Sequence, residues 1–406
     1  MKRNGFLRAL IIFTAIIGLI ITFIVFLPEQ VRQVYPPRLY GPLARVDAGG
    51  RKMFFYLTVE EKVRSKFTSR RSNTFTEYFS VYRLCVRDAE SGRLIKSEII
   101  SEIKSAIQES EPKILGPVKN GLWIWNSGPK LYDPVSLTVT TDLETIKKQN
   151  PEIAGVLPKE IAFFKVSEPN AALVIKSLDA RYFQVDELTA KITDAEKILE
   201  GITWRKTAED GFTYTKQPGV YAYYNYIYGN LINSFLAGKG IWHGLLSKRQ
   251  REQLFKWPGA PGQPDKDGQN RYYQVRYKLD DRQEIELDIS TAKQTGDKSF
   301  LQGGFIKRKE QMVWDVPNPS STLVMSKDIL GRDGKFVIHR LGRDGKIIWS
   351  QSSDLSELDQ VADGDNYIVL AGFKDQLEPT RNRVGILVWI DQNTGKKDEF
   401  SVSEDL

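Results

Sequence analysis

A chain of 406 residues with 31 glycines, 18 prolines and 11% aromatic side chains can bury a large core. This turn-rich composition excludes a helical bundle and a disordered chain. The net charge of +7 is mild and scattered; no helix-turn-helix, RNP or zinc-finger pattern accompanies the basic spots at 64–71, 247–251 and 306–309, so nucleic acid is not expected as a partner. A single cysteine, Cys85, excludes an internal disulfide and a Cys-rich metal cluster.

Lys2, Arg3 and Arg8 precede 19 uncharged residues, Ala9 to Leu27. As a helix this run is about 28 Å long, close to the roughly 30 Å hydrocarbon core. The excess of positive charge before it assigns residues 1–8 to the cytoplasm and the remainder to the far side. A cleaved signal peptide would show a small-x-small site, and a lipoprotein would need a cysteine just past the run. Neither is present, and a core helix is rarely so apolar on all faces. The expectation is an uncleaved, single-pass anchor in the cytoplasmic (inner) membrane. The membrane would be a partner through Ala9 to Leu27, and the main domain would be periplasmic or extracellular. Pro28, Pro36, Pro37 and Pro42 then read as a stiff spacer over 28–45, followed by a folded domain over 46–406.

Within that domain one pattern returns. Asp-x-x-Ser/Thr, followed by a small or basic residue, occurs at Asp88, Asp133, Asp186, Asp288 and Asp391, with a shorter Asp-Gly-Lys relative at Asp344. Successive gaps are 45, 53, 102, 56 and 47, the large one being twice 51. A period of this size marks a propeller or solenoid. Asp accepts backbone N–H bonds in the turn, and a Gly or small residue tolerates positive φ. An alternating strand precedes each copy and a second one follows, which makes a hairpin. Further apolar strands lie upstream at 121–125, 172–177, 322–326 and 367–372. "FVIHRL" is one strand between two Asp-Gly turns, hence a β-meander.

"IDQNTGKKDEF" and "RDGKIIWS" resemble the Asp-x-x-Thr-Gly-Lys-x-x-Trp units of PQQ-like (quinoprotein-type) β-propellers. Trp349 stands where that pattern expects its tryptophan, and Phe400 is a displaced substitute. The resemblance implies an all-β propeller, and the period of about 51 residues over 50–406 gives about seven blades, six or eight remaining open, after the one transmembrane helix expected at Ala9 to Leu27. The class contains cofactor-dependent dehydrogenases and cofactor-free scaffolds of the bacterial envelope. Its enzymes carry a vicinal disulfide over the cofactor, which Cys85 alone cannot make. The resemblance therefore implies a propeller with no cofactor and no cofactor-binding or metal-binding residues.

Residues 200–270 break the rhythm and read as a degenerate blade with an insertion. Five tyrosines at 220–230 suit either a half-buried strand or an aromatic face for sugar or peptide. Ser247 and Gln250 form a capping box, so a short helix is expected before Pro258. Asp265, Asp267 and Asn270 resemble the start of a calcium loop, but position 12 is Arg276 where a bidentate Glu is required. His243 and His339 are far apart in sequence. The carboxylate pairs Glu60–Glu61 and Asp280–Asp281 read as surface runs. Trp123, Trp125, Trp314, Trp349 and Trp389 read as packing residues on strands. No nucleophile elbow, Walker loop or dinucleotide fingerprint occurs, so the catalytic residues are unknown. The expected function is a binding or scaffolding module for envelope proteins or a ligand. The alternative is a propeller enzyme, a hydrolase/lyase or an oxidoreductase, with its site in the central channel. Residues 51–61 are expected to share a sheet with 384–402, closing the ring.

Overall fold

A computed structural model describes residues 30–33, 35–48, 50–68, 73–104, 111–167, 172–195, 220–223, 226–229, 231–234, 241–246, 269–279, 285–308, 321–331, 333–342, 344–364, 366–374 and 383–405. The fold is all-β, built from antiparallel sheets whose strands follow one another as meanders. The first sheet holds β1 (Gln30–Gln33), β2 (Arg38–Ala48), β3 (Arg51–Thr68), β4 (Asn73–Asp88) and β5 (Leu94–Lys104). β1 and β2 both pair with β3, and β5 forms the outer edge. The second is a four-stranded meander of β6 (Lys113–Val118), β7 (Gly121–Trp125), β8 (Pro129–Tyr132) and β9 (Val139–Asp142). The helix α1 (Leu143–Gln149) follows, capped by the Asp142 carboxylate, which accepts from the Thr145 N–H. A third meander is β10 (Phe164–Ser167), β11 (Ala172–Lys176), β12 (Tyr182–Val185) and β13 (Ile192–Asp194).

A nine-stranded sheet comes next. It comprises β14 (Val220–Tyr223), β15 (Tyr226–Gly229), β16 (Leu231–Ser234), β17 (Ile241–Leu246), β18 (Gln269–Leu279), β19 (Ile285–Arg308), β20 (Ser321–Lys327), β21 (Phe336–Gly342) and β22 (Ile347–Ser352). The last meander is β23 (Glu357–Gly364), β24 (Tyr367–Phe373), β25 (Gly385–Asp391) and β26 (Lys397–Ser401). The apolar runs expected as strands fall on β7, β11, β20 and β24, each almost wholly buried because both faces of the sheet are covered.

The sheets stack face to face through a chain of clusters. Phe55, Leu57 and Leu84 of the first sheet meet Leu122 and Ile124 of the second. Trp123 and Trp125 meet Phe164 and Leu173 of the third. Met325 and Ile338 meet Leu370 and Val388 of the last. The last sheet in turn packs on the first, with Val369, Leu387 and Trp389 against Phe54, Tyr56 and Cys85. This differs from the expected closure. Residues 51–61 lie on β3 and residues 385–401 on β25 and β26, in separate sheets. The seam is made by side chains. Trp389 stacks edge-on to Phe54 with ring centroids 5.8 Å apart. Its indole N–H donates to the Ala89 carbonyl at 3.1 Å. The Arg87 guanidinium lies over the Phe400 ring at 4.4 Å. The buried Gln360 amide accepts from the Leu43 N–H at 2.8 Å and donates to the Gly41 carbonyl at 2.6 Å. One glutamine thus does for β2 what a neighbouring strand would have done.

The repeated turn is seen in four copies. Asp88, Asp133, Asp186 and Asp391 each accept from the backbone N–H three residues on, at 2.7, 2.7, 2.8 and 3.0 Å. The backbone N–H four residues on donates to the same Asp carbonyl. That residue is left-handed in every copy: Gly92, Leu137, Ala190 and Gly395. The hydrogen bonds hold Asp133 and Asp186 below the usual carboxylate range. The Ser136 backbone N–H is the largest cause for Asp133, and the Thr189 hydroxyl for Asp186. The copy at Asp288 differs. It lies inside β19, where residues 289–292 loop out between two paired stretches. The Thr291 hydroxyl donates to the Asp288 carbonyl at 2.6 Å and accepts the Arg276 N–H at 2.9 Å. The same residues therefore make a bulge here and not a turn between strands.

Two further expectations are corrected. The segment 28–45 is not a free spacer, since from Arg38 it is β2, inside the first sheet. The placement of the chain in a membrane, with a periplasmic or extracellular domain, does not hold. Among the described residues no helix is long and apolar enough to cross a membrane. The helix α1, with seven residues, is about 10 Å long against the roughly 30 Å needed. The apolar residues that the structure describes are instead spent between sheets. The run Ala9 to Leu27, the Ser247–Gln250 helix and Trp314 lie outside the described residues.

Three outcomes are expected in chemical denaturation. Trp389→Phe, which removes the donor and part of the buried ring, lowers stability by about 1–3 kcal/mol. Trp389→Ala, which also opens a cavity at the seam, lowers it by about 3–5 kcal/mol. Asp186→Ala, at an exposed turn, costs about 1 kcal/mol, and an unchanged unfolding midpoint would show that the turn is held by its neighbours alone.

Candidate functional site

Four meanders open on a strand that is interrupted. β2 slips register between Tyr40 and Ala44, β6 between Ile114 and Gly116, and β23 between Leu358 and Gln360. The second half of β19, which opens the meander through β22, slips between Leu301 and Gly304. These bulges have readable causes. Gly41-Pro42 and Gly116-Pro117 place a residue without an N–H where no ladder bond is made. Gly303-Gly304 serves the β19 bulge, and a Cβ at Gly303 would lie 2.5 Å from Phe300. Gly116, at φ +151°, lets β6 approach β10, since a Cβ there would lie 2.8 Å from Val166.

The opening strands also run beside one another: β2 against β6 and β23, and β6 against β10. The hairpin of β14 and β15 approaches β23 as well. Its register sets Tyr221 opposite Tyr228 and Tyr223 opposite Tyr226. Asp359 is the extra residue of the β23 bulge. Burial holds its carboxyl above the usual range, the Gln360 amide opposes this, and the Glu357 charge adds to it. Gln360 Nε2 donates to Asp359 Oδ2 at 3.3 Å while also holding the Gly41 carbonyl. A carboxyl held above its usual range in a bulge, beside a fixed amide, can accept hydrogen bonds from a polar ligand.

A second polar group lies in the nine-stranded sheet. His339 Nε2 is 2.8 Å from Ser326 Oγ, and Nδ1 is 2.8 Å from Ser350 Oγ. Burial pushes the imidazole down to about 4, and the Lys298 charge adds to the shift. Phe300 packs on the ring at 5.1 Å. Ser326 is buried, and a hydroxyl occupies the place where a triad would put a carboxylate. His339 is thereby a neutral, doubly bonded core histidine.

The other residues singled out in the sequence are not brought together. His243 lies on β17, with three strands between it and β21. Glu60 is buried and pairs with Arg83 Nε at 3.0 Å and Lys62 Nζ at 2.9 Å. Glu61 pairs with Arg38 at 3.1 Å. Asn270 is a buried structural amide that donates to the Gly303 carbonyl at 2.8 Å. Asp265, Asp267, Asp280 and Asp281 lie outside the described residues. Trp349 and Trp389 are packing residues, as expected, and each also donates to a turn carbonyl. Gly-Pro in β2 and β6 and Gly-Gly in β19 are the sequence signal for those bulged strands, whereas nothing in the sequence of β23 marks Asp359.

No protein-family model matches the chain, and no curated protein does either. Among solved structures it is similar to the crystal structure of the tricorn protease, at 10% identity and a TM-score of 0.25. That match covers 93% of this chain and 35% of the other, so the chain spans about a third of it. A crystal structure of a eukaryotic initiation factor matches at 11% identity and a TM-score of 0.18, over 80% of this chain and 74% of the other. Likenesses at this level carry no function across.

Both titrating groups give outcomes of defined sign. The His339 imidazole is depressed in the folded state, so the stability it carries is present above about pH 6.5 and lost as pH falls towards 4. The loss amounts to about 3 kcal/mol, and His339→Gln flattens that limb of the stability–pH curve. The Asp359 carboxyl is raised in the folded state, so ionising it works against folding above the unfolded-state value. Asp359→Asn should raise the unfolding midpoint at pH 7 and leave it unchanged near pH 3. An Asn variant less stable at pH 7 would contradict the placement of this carboxyl.

Proposed function

We propose that the stacked meanders form a PQQ-like β-propeller platform, cofactor-free, that binds and scaffolds a protein partner. The reading is supported by one observation above others. The opening strands β2, β6, β10 and β23 run side by side, three of them bulged, and a carboxyl that costs stability sits in one of those bulges. Bulges re-aim side chains and backbone groups at functional rims. A destabilising carboxyl at such a rim is the usual mark of a site shaped for a ligand. The repeated Asp turn and the tryptophan donors of the last sheets support the propeller arrangement.

The occupant favoured by this surface is an extended peptide segment. Asp359 offers it hydrogen bonds, and the bulges beside it leave strand backbone out of the ladder for it to pair with. Cross-linking mass spectrometry on the tagged chain captured with its partner tests this. Cross-links should gather at 41–45, 113–118 and 357–364, and Asp359→Lys should reduce capture at least tenfold. Cross-links confined to the outer strands β5, β9 and β26, with capture unaffected by Asp359→Lys, would overturn it.

A further inference from the structure

The outer edge of the first sheet differs from the other outer edges. β5 has 11 residues, against four for β9, three for β13, six for β22 and five for β26. Among the described strands it pairs with β4 alone. It also exposes three large apolar side chains: Leu94 at 37%, Ile95 at 40% and Ile99 at 46%. By comparison β9 exposes Val139 and β22 exposes Ile348. A long edge with exposed apolar side chains is a template for another strand.

The residues on this edge are self-complementary. Ile95-Lys96-Ser97-Glu98-Ile99 reads the same in chemistry from either side of Ser97, with the charge sign reversed. We infer that β5 pairs with β5 of a second copy of this chain, antiparallel, about a two-fold axis at Ser97. In that register Ile95 stands opposite Ile99 of the second copy, and Lys96 opposite Glu98 of the second copy. Each pair occurs twice. Directly opposed apolar and opposite-charge pairs stabilise antiparallel strands, while opposed like charges destabilise them. Lys96 Nζ now lies 3.1 Å from its own Glu98 Oε1, with both side chains substantially exposed, so the second copy's carboxylate is within reach by rotation of the side chain.

The bulges set the extent of the pairing. The β4–β5 register slips at Val86/Arg87 and at Tyr82/Arg83, leaving Ile95 and Ile100 without direct partners. The Ile100 carbonyl is already taken by Asn126 Nδ2 at 2.8 Å. Regular edge is therefore short, and a two-fold pair uses it up on both copies. Such a contact closes as a dimer and cannot grow into a continuous sheet. A foreign strand could also add to this edge, but nothing would require it to carry the reversed charge order.

The test is sedimentation of the full chain over a range of concentrations. The wild type should show a concentration-dependent monomer–dimer equilibrium. Lys96→Glu and Glu98→Lys should each weaken it at least tenfold, because like charges then meet twice. The double variant K96E/E98K should regain it, and an equimolar mixture of the two single variants should form a heterodimer. Thermal unfolding of each variant checks folding, since Lys96 also donates to the Ser136 carbonyl at 2.6 Å. A wild type that stays monomeric would overturn the inference, as would a dimer whose affinity is the same in both single variants.

Discussion

Everything in this fold depends on one turn delivering two things to the next sheet. The Asp-x-x-Ser/Thr turn holds its fifth residue left-handed and turns a carbonyl outward near its start. The tryptophan of the neighbouring sheet uses both. Trp349 donates to the Gln392 carbonyl at 3.1 Å and lies where a Cβ at Gly395 would come within 2.7 Å of its ring. Trp389 does the same with the Ala89 carbonyl and Gly92. Glycine is required at these two turns for the close approach as well as for its φ. At the other two turns Leu137 and Ala190 take the left-handed place, and both are buried in the clusters between sheets. The turn is therefore a joint between sheets as much as a link between strands.

Much of this was legible because it is local. Alternating apolar runs and a repeated turn need only a dozen residues to declare themselves, and β7, β11, β20 and β24 lie where the pattern put them. The copy at Asp288 shows the limit. Its residues match the motif, yet β18 supplies a long partner, and the chain loops out as a bulge instead of turning back. The prolines at 36, 37 and 42 were equally ambiguous. Proline suits a free spacer and a bulged edge strand alike, and only the presence of β3 beside it decides. The candidate site was hidden for a related reason. Asp359 is an ordinary surface aspartate by sequence, and it becomes a half-buried group with a raised pKa only in the bulge of β23, where that strand runs beside β2.

The opening strands combine two properties that pull against each other. They must pack closely, as Gly116 against Val166 shows, and they must also leave backbone groups unpaired at the bulges. Gln360 resolves this at one place by bonding to both Gly41 and Leu43. A side-chain amide that substitutes for a strand holds position without extending the ladder. The rim is thus firm at the seam and irregular beside it, which is a suitable base for a surface that must recognise something other than itself.

The seam has a kinetic meaning too. The bond from Trp389 to Ala89 joins groups 300 residues apart in the chain. Closing a loop of that size from a flexible chain costs roughly 5 kcal/mol in entropy, more than one hydrogen bond and a ring contact return. The first and last sheets are therefore expected to meet only after the sheets between them have stacked and shortened the path. Until then Val369, Leu387 and Trp389 face water on one side, and Phe54 and Tyr56 on the other. The nascent chain carries two sticky faces at its extremes for as long as its middle remains unfolded. Its slowest step and its greatest exposure to aggregation fall at the same place.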